Sequence, residues 1–172
     1  MNSFSNEQIK EIENIIDKHL SYKKVCITIL DNELDIPKYA HDTDAAFDLQ
    51  SRENIVVKPG EKIMIATGVK IKIPEGYELQ IRPRSGISAK TYLRVSNSPG
   101  TIDSGYLGEI KVLFTNTGKE EYKINKKDKI AQAVLAKYTK AEFNLIDNNS
   151  FEEFESDRGS KGFGSTGLLK NM

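Results

Sequence analysis

A succession of short apolar and β-branched runs, each closed by a turn signal, leaves this chain few folds to choose from. The runs are Val25–Leu30, Ile55–Val57, Ile63–Ile65, Val69–Ile73, Leu79–Ile81, Ile110–Phe114, Tyr122–Ile124 and Ala131–Ala136. Between them stand Pro59-Gly60, Pro74-Glu75-Gly76, Pro99-Gly100, Asp103-Ser104-Gly105 and Asn116-Thr117-Gly118, residue types that set the backbone angles of tight turns. Strands this closely spaced, with little helical pattern between them, disfavour a parallel α/β enzyme and predict an all-β sandwich, jelly roll or barrel. One segment differs. From Ser5 to Leu20, Ile9, Ile12, Ile15, Ile16 and Leu20 recur at helical spacing behind the capping-box pair Ser5 and Gln8, which predicts a short amphipathic helix. With 172 residues, 38% of them hydrophobic, the chain sustains one ordinary core. The expected organisation is a helical extension at 1–22, a β core at 23–143, and a polar linker with a glycine-rich arm at 144–172.

The 25 basic and 25 acidic side chains cancel, so no global field draws long nucleic acid or an anionic membrane, and a polyanionic ligand needs local cations. Cys26 has no partner for an internal disulfide, and with only His19 and His41 the chain lacks zinc-type clusters. A polar start without an apolar core resembles no export signal, and no apolar run is long enough to span a bilayer. A reducing, cytoplasmic setting is the expectation.

Three segments and the terminal arm carry candidate chemistry. Pro83-Arg84-Ser85-Gly86 leaves a predicted strand and enters a turn. Arg84 offers a bidentate fork to phosphate, Ser85 a hydroxyl donor, and Gly86 an approachable amide; a solvated surface turn is the alternative. Asn97 to Tyr106 is turn-rich, with Asp103 as a candidate to deprotonate water, Tyr106 to pack on a sugar, and Asn97 to pair with a base edge. Asp-Ser-Gly is equally an ordinary turn sequence. Asp42, Asp44 and Asp48 lack the glycine and terminal glutamate of a calcium loop, but Asp48 is a candidate to hold water on a nucleotide-borne Mg²⁺. In the arm, Arg158, Phe163, Gly164, Ser165 and Thr166 combine cation, ring, glycine and hydroxyls, suited to closing over a phosphorylated base or simply to a solvated tail.

Taken together and in this order, these blocks resemble the trimeric dUTPase family. The first motif resembles Ala40 to Leu49 and the second is Pro83-Arg84-Ser85-Gly86. The third is Gly100-Thr101-Ile102-Asp103-Ser104-Gly105-Tyr106-Leu107-Gly108-Glu109-Ile110, the fourth resembles Asp128-Lys129-Ile130-Ala131-Gln132, and the fifth is the arm. The resemblance implies a homotrimer of distorted jelly-roll, β-clip-like subunits with sites at subunit interfaces. It implies Mg²⁺-dependent hydrolysis of dUTP at the α-phosphorus to dUMP and pyrophosphate, which keeps uracil out of DNA and supplies dUMP for thymidylate synthesis.

On the same basis Asp103 is the general base, and Arg84, Ser85, Gly86 and Gln132 hold phosphates. Tyr106 lies against deoxyribose and excludes a 2′-hydroxyl, and Asn97 with the Gly100, Thr101 and Ile102 backbone lines the uracil pocket. Asp48 contacts Mg²⁺ through water. Phe163 stacks on uracil while Arg158, Ser165 and Thr166 close on the γ-phosphate, with Gly164 also in the substrate site. The chain departs from the family where Leu107 replaces a frequent arginine, Gly105 an acidic residue, and Lys127 and Lys129 the usual glycine and arginine. The related dCTP deaminases carry a Ser-Arg-Ser-Ser turn and a Trp-Ile-Asp-Pro-Gly-Phe segment, neither of which is present. A regulatory nucleotide-binding protein and a purely structural β subunit are the other readings weighed.

Overall fold

The computed structural model describes residues 4–161. The chain divides into two compact units, Met1–Thr139 and Lys140–Met172.

The first unit opens with helix α1 (Asn6–Ser21). The predicted capping box is present: Gln8 N donates to Ser5 Oγ at 3.2 Å and Ser5 N donates to Gln8 Oε1 at 2.9 Å, so two backbone donors at the helix start are satisfied locally. The strands that follow are β1 (Cys26–Ile29), β2 (Phe47–Gln50), β3 (Ile55–Val57), β4 (Lys62–Ala66), β5 (Val69–Lys72) and β6 (Tyr77–Arg82). After helix α2 (Ser85–Lys90) come β7 (Leu93–Val95), β8 (Gly100–Ile102), β9 (Lys111–Asn116), β10 (Tyr122–Ile124) and β11 (Lys129–Lys137). They form a four-stranded sheet β2-β11-β6-β8, a three-stranded sheet β4-β9-β7, and the pairs β1-β5 and β10-β3. Every pairing is antiparallel. This is the all-β, jelly-roll-like architecture that the spacing of apolar runs predicts.

Alternation builds the core. On β9, Val112, Phe114 and Asn116 turn inward while Lys111, Leu113 and Thr115 do not, the period-two signature of a sheet with one covered face. On β11 both Ile130 and Ala131 are buried. A register shift against β2 between Lys129 and Ala131 accounts for it, because a bulge adds one residue and turns two consecutive side chains toward the same side. These residues join Leu49, Val57, Ile65, Ile73, Leu79 and Ile110, each at most 1% exposed. The polar groups that enter the core are bonded. Asn116 donates to the Val57 and Glu120 carbonyls and accepts from Gly118 N, and Thr67 donates to the Ile110 carbonyl at 2.7 Å. Among the described residues no buried side-chain nitrogen or oxygen lacks a partner.

Two expectations from sequence change here. The segment after Pro83, expected as a turn, forms α2 directly from Ser85, with Arg84 at its N-cap. Gly100–Ile102, expected within a turn-rich stretch, is a strand, because β6 offers a free edge and Ile81↔Gly100 through Leu79↔Ile102 close the ladder.

Among its described residues the second unit carries one short helix, α3 (Asn148–Glu152), capped by Asp147, whose carboxylate accepts from Ser150 N at 3.1 Å. Among the described residues no helix is long and apolar enough to cross a membrane.

Candidate active site

Strand β8 ends at Ile102 and hands the chain to a turn in which Tyr106 N donates to the Asp103 carbonyl at 3.0 Å. The turn folds Asp103 and Tyr106 to the mouth of a cavity of about 270 Å³. Its walls are Ile81 from β6, Asn97, Gly100, Thr101 and Ile102, with Met64, Lys111 and Leu113 from β4 and β9. Gly100 is the close approach: a side chain there would meet the Asn97 amide nitrogen at 3.1 Å and Ile81 Cβ at 3.5 Å. With hydrogen in that place, the Asn97 amide sits directly over the strand. Tyr106 donates its hydroxyl to the Glu109 carbonyl at 2.9 Å, which fixes the ring across the turn. An amide, a carboxylate and a phenol thus converge on one concave surface, the usual composition of a small-ligand site.

A second cluster gathers on the sheet β2-β11-β6. Gln132 lies opposite Asp48 on β2 and opposite Arg82 on β6, and its amide donates to the Pro83 carbonyl at 2.9 Å. Arg84 Nε stands 2.8 Å from Asp48 Oδ1, and Lys129 Nζ 2.9 Å from Asp48 Oδ2. Arg84 also donates to the Lys129 carbonyl at 3.1 Å. Ser85 and Gly86 are exposed at the start of α2, and a side chain at Gly86 would meet nothing within 4 Å. Asp48 borders two cavities, of about 420 and 230 Å³.

Asp48, Arg84, Ser85, Gly86 and Gln132 therefore assemble, and so do Asn97, Gly100, Thr101, Ile102, Asp103 and Tyr106. The two sets do not share a pocket within one copy: none of the first group lines the cavity at Asp103. Arg158 belongs to the second unit, where its Nε donates to the Lys161 carbonyl at 2.8 Å. Phe163, Gly164, Ser165 and Thr166 lie outside the described residues. Sequence reading missed Met64, Lys111 and Leu113 as pocket walls. Their signal is alternation, since Met64 pairs with Leu113 and Ala66 with Lys111 across β4 and β9 on the face turned from the core.

Among the described residues no group of three or more His, Cys, Asp or Glu side chains is placed to hold a metal. Asp48 alone, with each oxygen already facing a cation, does not fit a protein-caged ion. It fits one carried by a ligand and held through water, since a carboxylate oxygen accepts more than one donor and Asp48 faces open space.

The family model described as dUTPase matches residues 32–167. The chain belongs to the dUTPase family. Among curated dUTPase relatives, the deoxyuridine 5′-triphosphate nucleotidohydrolase of Nautilia profundicola is 47% identical over 144 residues, covering 84% of this chain and 99% of the relative. A mutant dUTPase of Staphylococcus bacteriophage 80alpha, solved with dUpNHpp, superposes with a TM-score of 0.78 at 30% identity, covering 86% of this chain and all of that one. A mutant dUTPase of phage phi11 of S. aureus, described with a structural Mg(II) ion, has a TM-score of 0.69 at 29% identity, covering 73% and 98%. The dUTPase match begins beyond α1, which is an addition to the family's matched region.

Proposed function

We propose that this chain hydrolyses dUTP at the α-phosphorus, releasing dUMP and pyrophosphate. The observation that carries the reading is the cavity at Asp103, where a carboxylate, the Asn97 amide and the Tyr106 ring meet at the end of one strand, in a chain of the dUTPase family. Uracil sits against Asn97 and the β8 backbone, and the sugar against Tyr106. Asp103 takes a proton from water as its oxygen bonds to the α-phosphorus and the bridge to the β-phosphorus breaks, the electron pair leaving with pyrophosphate. Arg84, Ser85, Gly86 and Gln132 contact phosphates, and a copy related by symmetry brings them to the Asp103 pocket, in keeping with the separation of the two clusters within one copy. The active form is thus a homotrimer, and the arm residues Arg158, Phe163, Gly164, Ser165 and Thr166 complete the contact with nucleotide. Asp48 would hold Mg²⁺ through water, and the ion would supply counter-charge to the triphosphate. The chain acts in the cytoplasm on free nucleotide.

The test is product analysis with Mg²⁺ and, separately, dUTP, dCTP, dTTP and UTP, for the wild type and Asp103→Asn. Formation of dUMP and pyrophosphate from dUTP, with turnover lost and nucleotide binding kept in the variant, is expected. Ammonia release from dCTP, binding without turnover in the wild type, or full activity of Asp103→Asn overturns the reading.

A further inference from the structure

Tyr106 is held from beneath as well as from its tip. The hydroxyl end of its ring lies on Gly108: a methyl group there would crowd the hydroxyl oxygen first and stand 2.5 Å from Cζ and 3.0 Å from Cε2 of the tyrosine. Both atoms belong to a rigid ring, so the ring itself has to move if the position gains a side chain. The tip is held by the carbonyl of Glu109, at 2.9 Å from the hydroxyl. Glu109 in turn is fastened by its side chain, which is only 16% exposed. Its Oε1 accepts from Gly68 N at 2.7 Å and lies 3.5 Å from Arg52 Nη1. The next residue is tied to the same turn, Ile110 N donating to the Val69 carbonyl at 2.8 Å and its own carbonyl accepting from the Thr67 hydroxyl at 2.7 Å. The platform under Tyr106 is therefore anchored through Glu109 and Ile110 to the turn between β4 and β5, outside the candidate pocket.

We propose that Gly108 and Glu109 are positioning residues that set the height of the Tyr106 ring over the pocket, and with it the discrimination between deoxyribose and ribose nucleotides. The inference rests on the dUTP reading of the same site. Gly108 supplies the space in which the ring lies, and the Glu109 carboxylate keeps the carbonyl that holds the hydroxyl at a fixed distance from the core. A ring pushed from Gly108 no longer closes against the sugar. It admits the extra hydroxyl of UTP and loosens contact with dUTP, and a displacement of about 1 Å in a positioning group changes rates on the order of 10²-fold.

The experiment measures kcat and KM for dUTP and UTP in the wild type, Gly108→Ala, Tyr106→Ala and the double variant. Gly108→Ala is expected to lower the dUTP-to-UTP ratio of kcat/KM by roughly tenfold or more, chiefly through KM. In the Tyr106→Ala background the same substitution is expected to leave the ratio where Tyr106→Ala put it, since no ring remains to displace. An unchanged ratio in Gly108→Ala, or an equal drop with and without the ring, overturns the proposal. If Gly108→Ala does not fold, the Glu109 variants carry the test. Glu109→Gln, which retains an acceptor for Gly68 N, is expected to keep the ratio that Glu109→Ala lowers, and equal loss in both overturns the proposal. A wild type inert toward dUTP sinks the reading of the site itself; a wild type active on dUTP whose variants keep the ratio sinks this inference alone.

Discussion

Arg84 and Asp48 lie 2.8 Å apart, Nε to Oδ1, joining the residue that opens α2 to the middle of β2. Lys129 closes on the other carboxylate oxygen at 2.9 Å, so one anion is shared by two cations before any polyanion arrives. In the reading proposed above, a triphosphate would compete for both cations and leave the carboxylate to water on a nucleotide-borne Mg²⁺.

Asp48→Asn removes that acceptor while preserving shape. The Mg²⁺ concentration giving half-maximal hydrolysis of dUTP is expected to rise by roughly tenfold, as for other groups that orient a metal through an intervening ligand. Thermal stability is expected to change little, because partly exposed ion pairs contribute at most about 1 kcal/mol. Titrating Mg²⁺ in the steady-state assay and melting the two proteins side by side checks both statements.

Lys127 is the only non-glycine residue with positive φ among the described residues, at 73°. Its turn is closed by Lys127 N donating to the Ser51 carbonyl at 2.8 Å and Asn125 N to Asp128 Oδ2 at 2.7 Å, and these bonds hold the left-handed conformation. A Cβ there costs roughly 1–2 kcal/mol, partly offset by the smaller backbone entropy of a non-glycine unfolded chain. Lys127→Gly is expected to stabilise by about 0.5–1 kcal/mol. Urea melts with an unchanged slope and a later midpoint are the sign; an earlier midpoint would refute the strain.

Asn116 is fully buried and ties β9 to the Val57 and Glu120 carbonyls, at 3.0 and 2.7 Å, and to Gly118 N at 2.9 Å. Asn116→Ala strands one donor and two acceptors, each worth about 1–3 kcal/mol when left unpaired. A loss of roughly 3 kcal/mol or more is expected, read as a lower denaturant midpoint, with Asn116→Asp no better because a carboxylate cannot donate to the two carbonyls.

Lys126 bonds Asp31 at 2.8 Å and Glu33 at 2.7 Å. The hydrogen bond from Lys126 holds the Asp31 carboxyl below its ordinary 3.8, and the one to Asp31 raises the ammonium above its ordinary 10.5. The Asp31 contribution is complete above 3.8 and is lost as pH falls through its lowered value. That of Lys126 is complete below 10.5 and is lost as pH rises through its raised value. The stability difference between wild type and Lys126→Met is therefore expected to be flat across neutral pH and to shrink at both extremes. It is also expected to weaken with salt, since the groups are on the surface. A difference that grows on acidification contradicts the pairing.

Much of the fold was readable because runs such as Ile110–Phe114 and Val69–Ile73 alternate or cluster in the manner of strands. Three strands escaped, β2, β7 and β8, and at β2 and β8 the local chemistry argues against a strand. Asp48 interrupts Phe47–Gln50, and Pro99-Gly100 announces a turn just where β6 captures a strand. Tertiary hydrogen bonding overrode propensity there. The candidate site residues were named from the order of separate motifs rather than from any one of them. What stayed hidden was cross-chain-distance geometry: that Lys129 shares Asp48 with Arg84, or that Gly108 underlies Tyr106, depends on contacts that no local pattern encodes.

Gln132 sits on the central strand with Asp48 facing it from one neighbour and Arg82 from the other. One residue gained or lost upstream within β11 would turn the amide to the opposite side of the sheet and uncouple both rows together. The spacing from the register shift at Lys129–Ala131 to Gln132 is therefore closed to insertion and deletion, as is the turn that carries Asp103 and Tyr106.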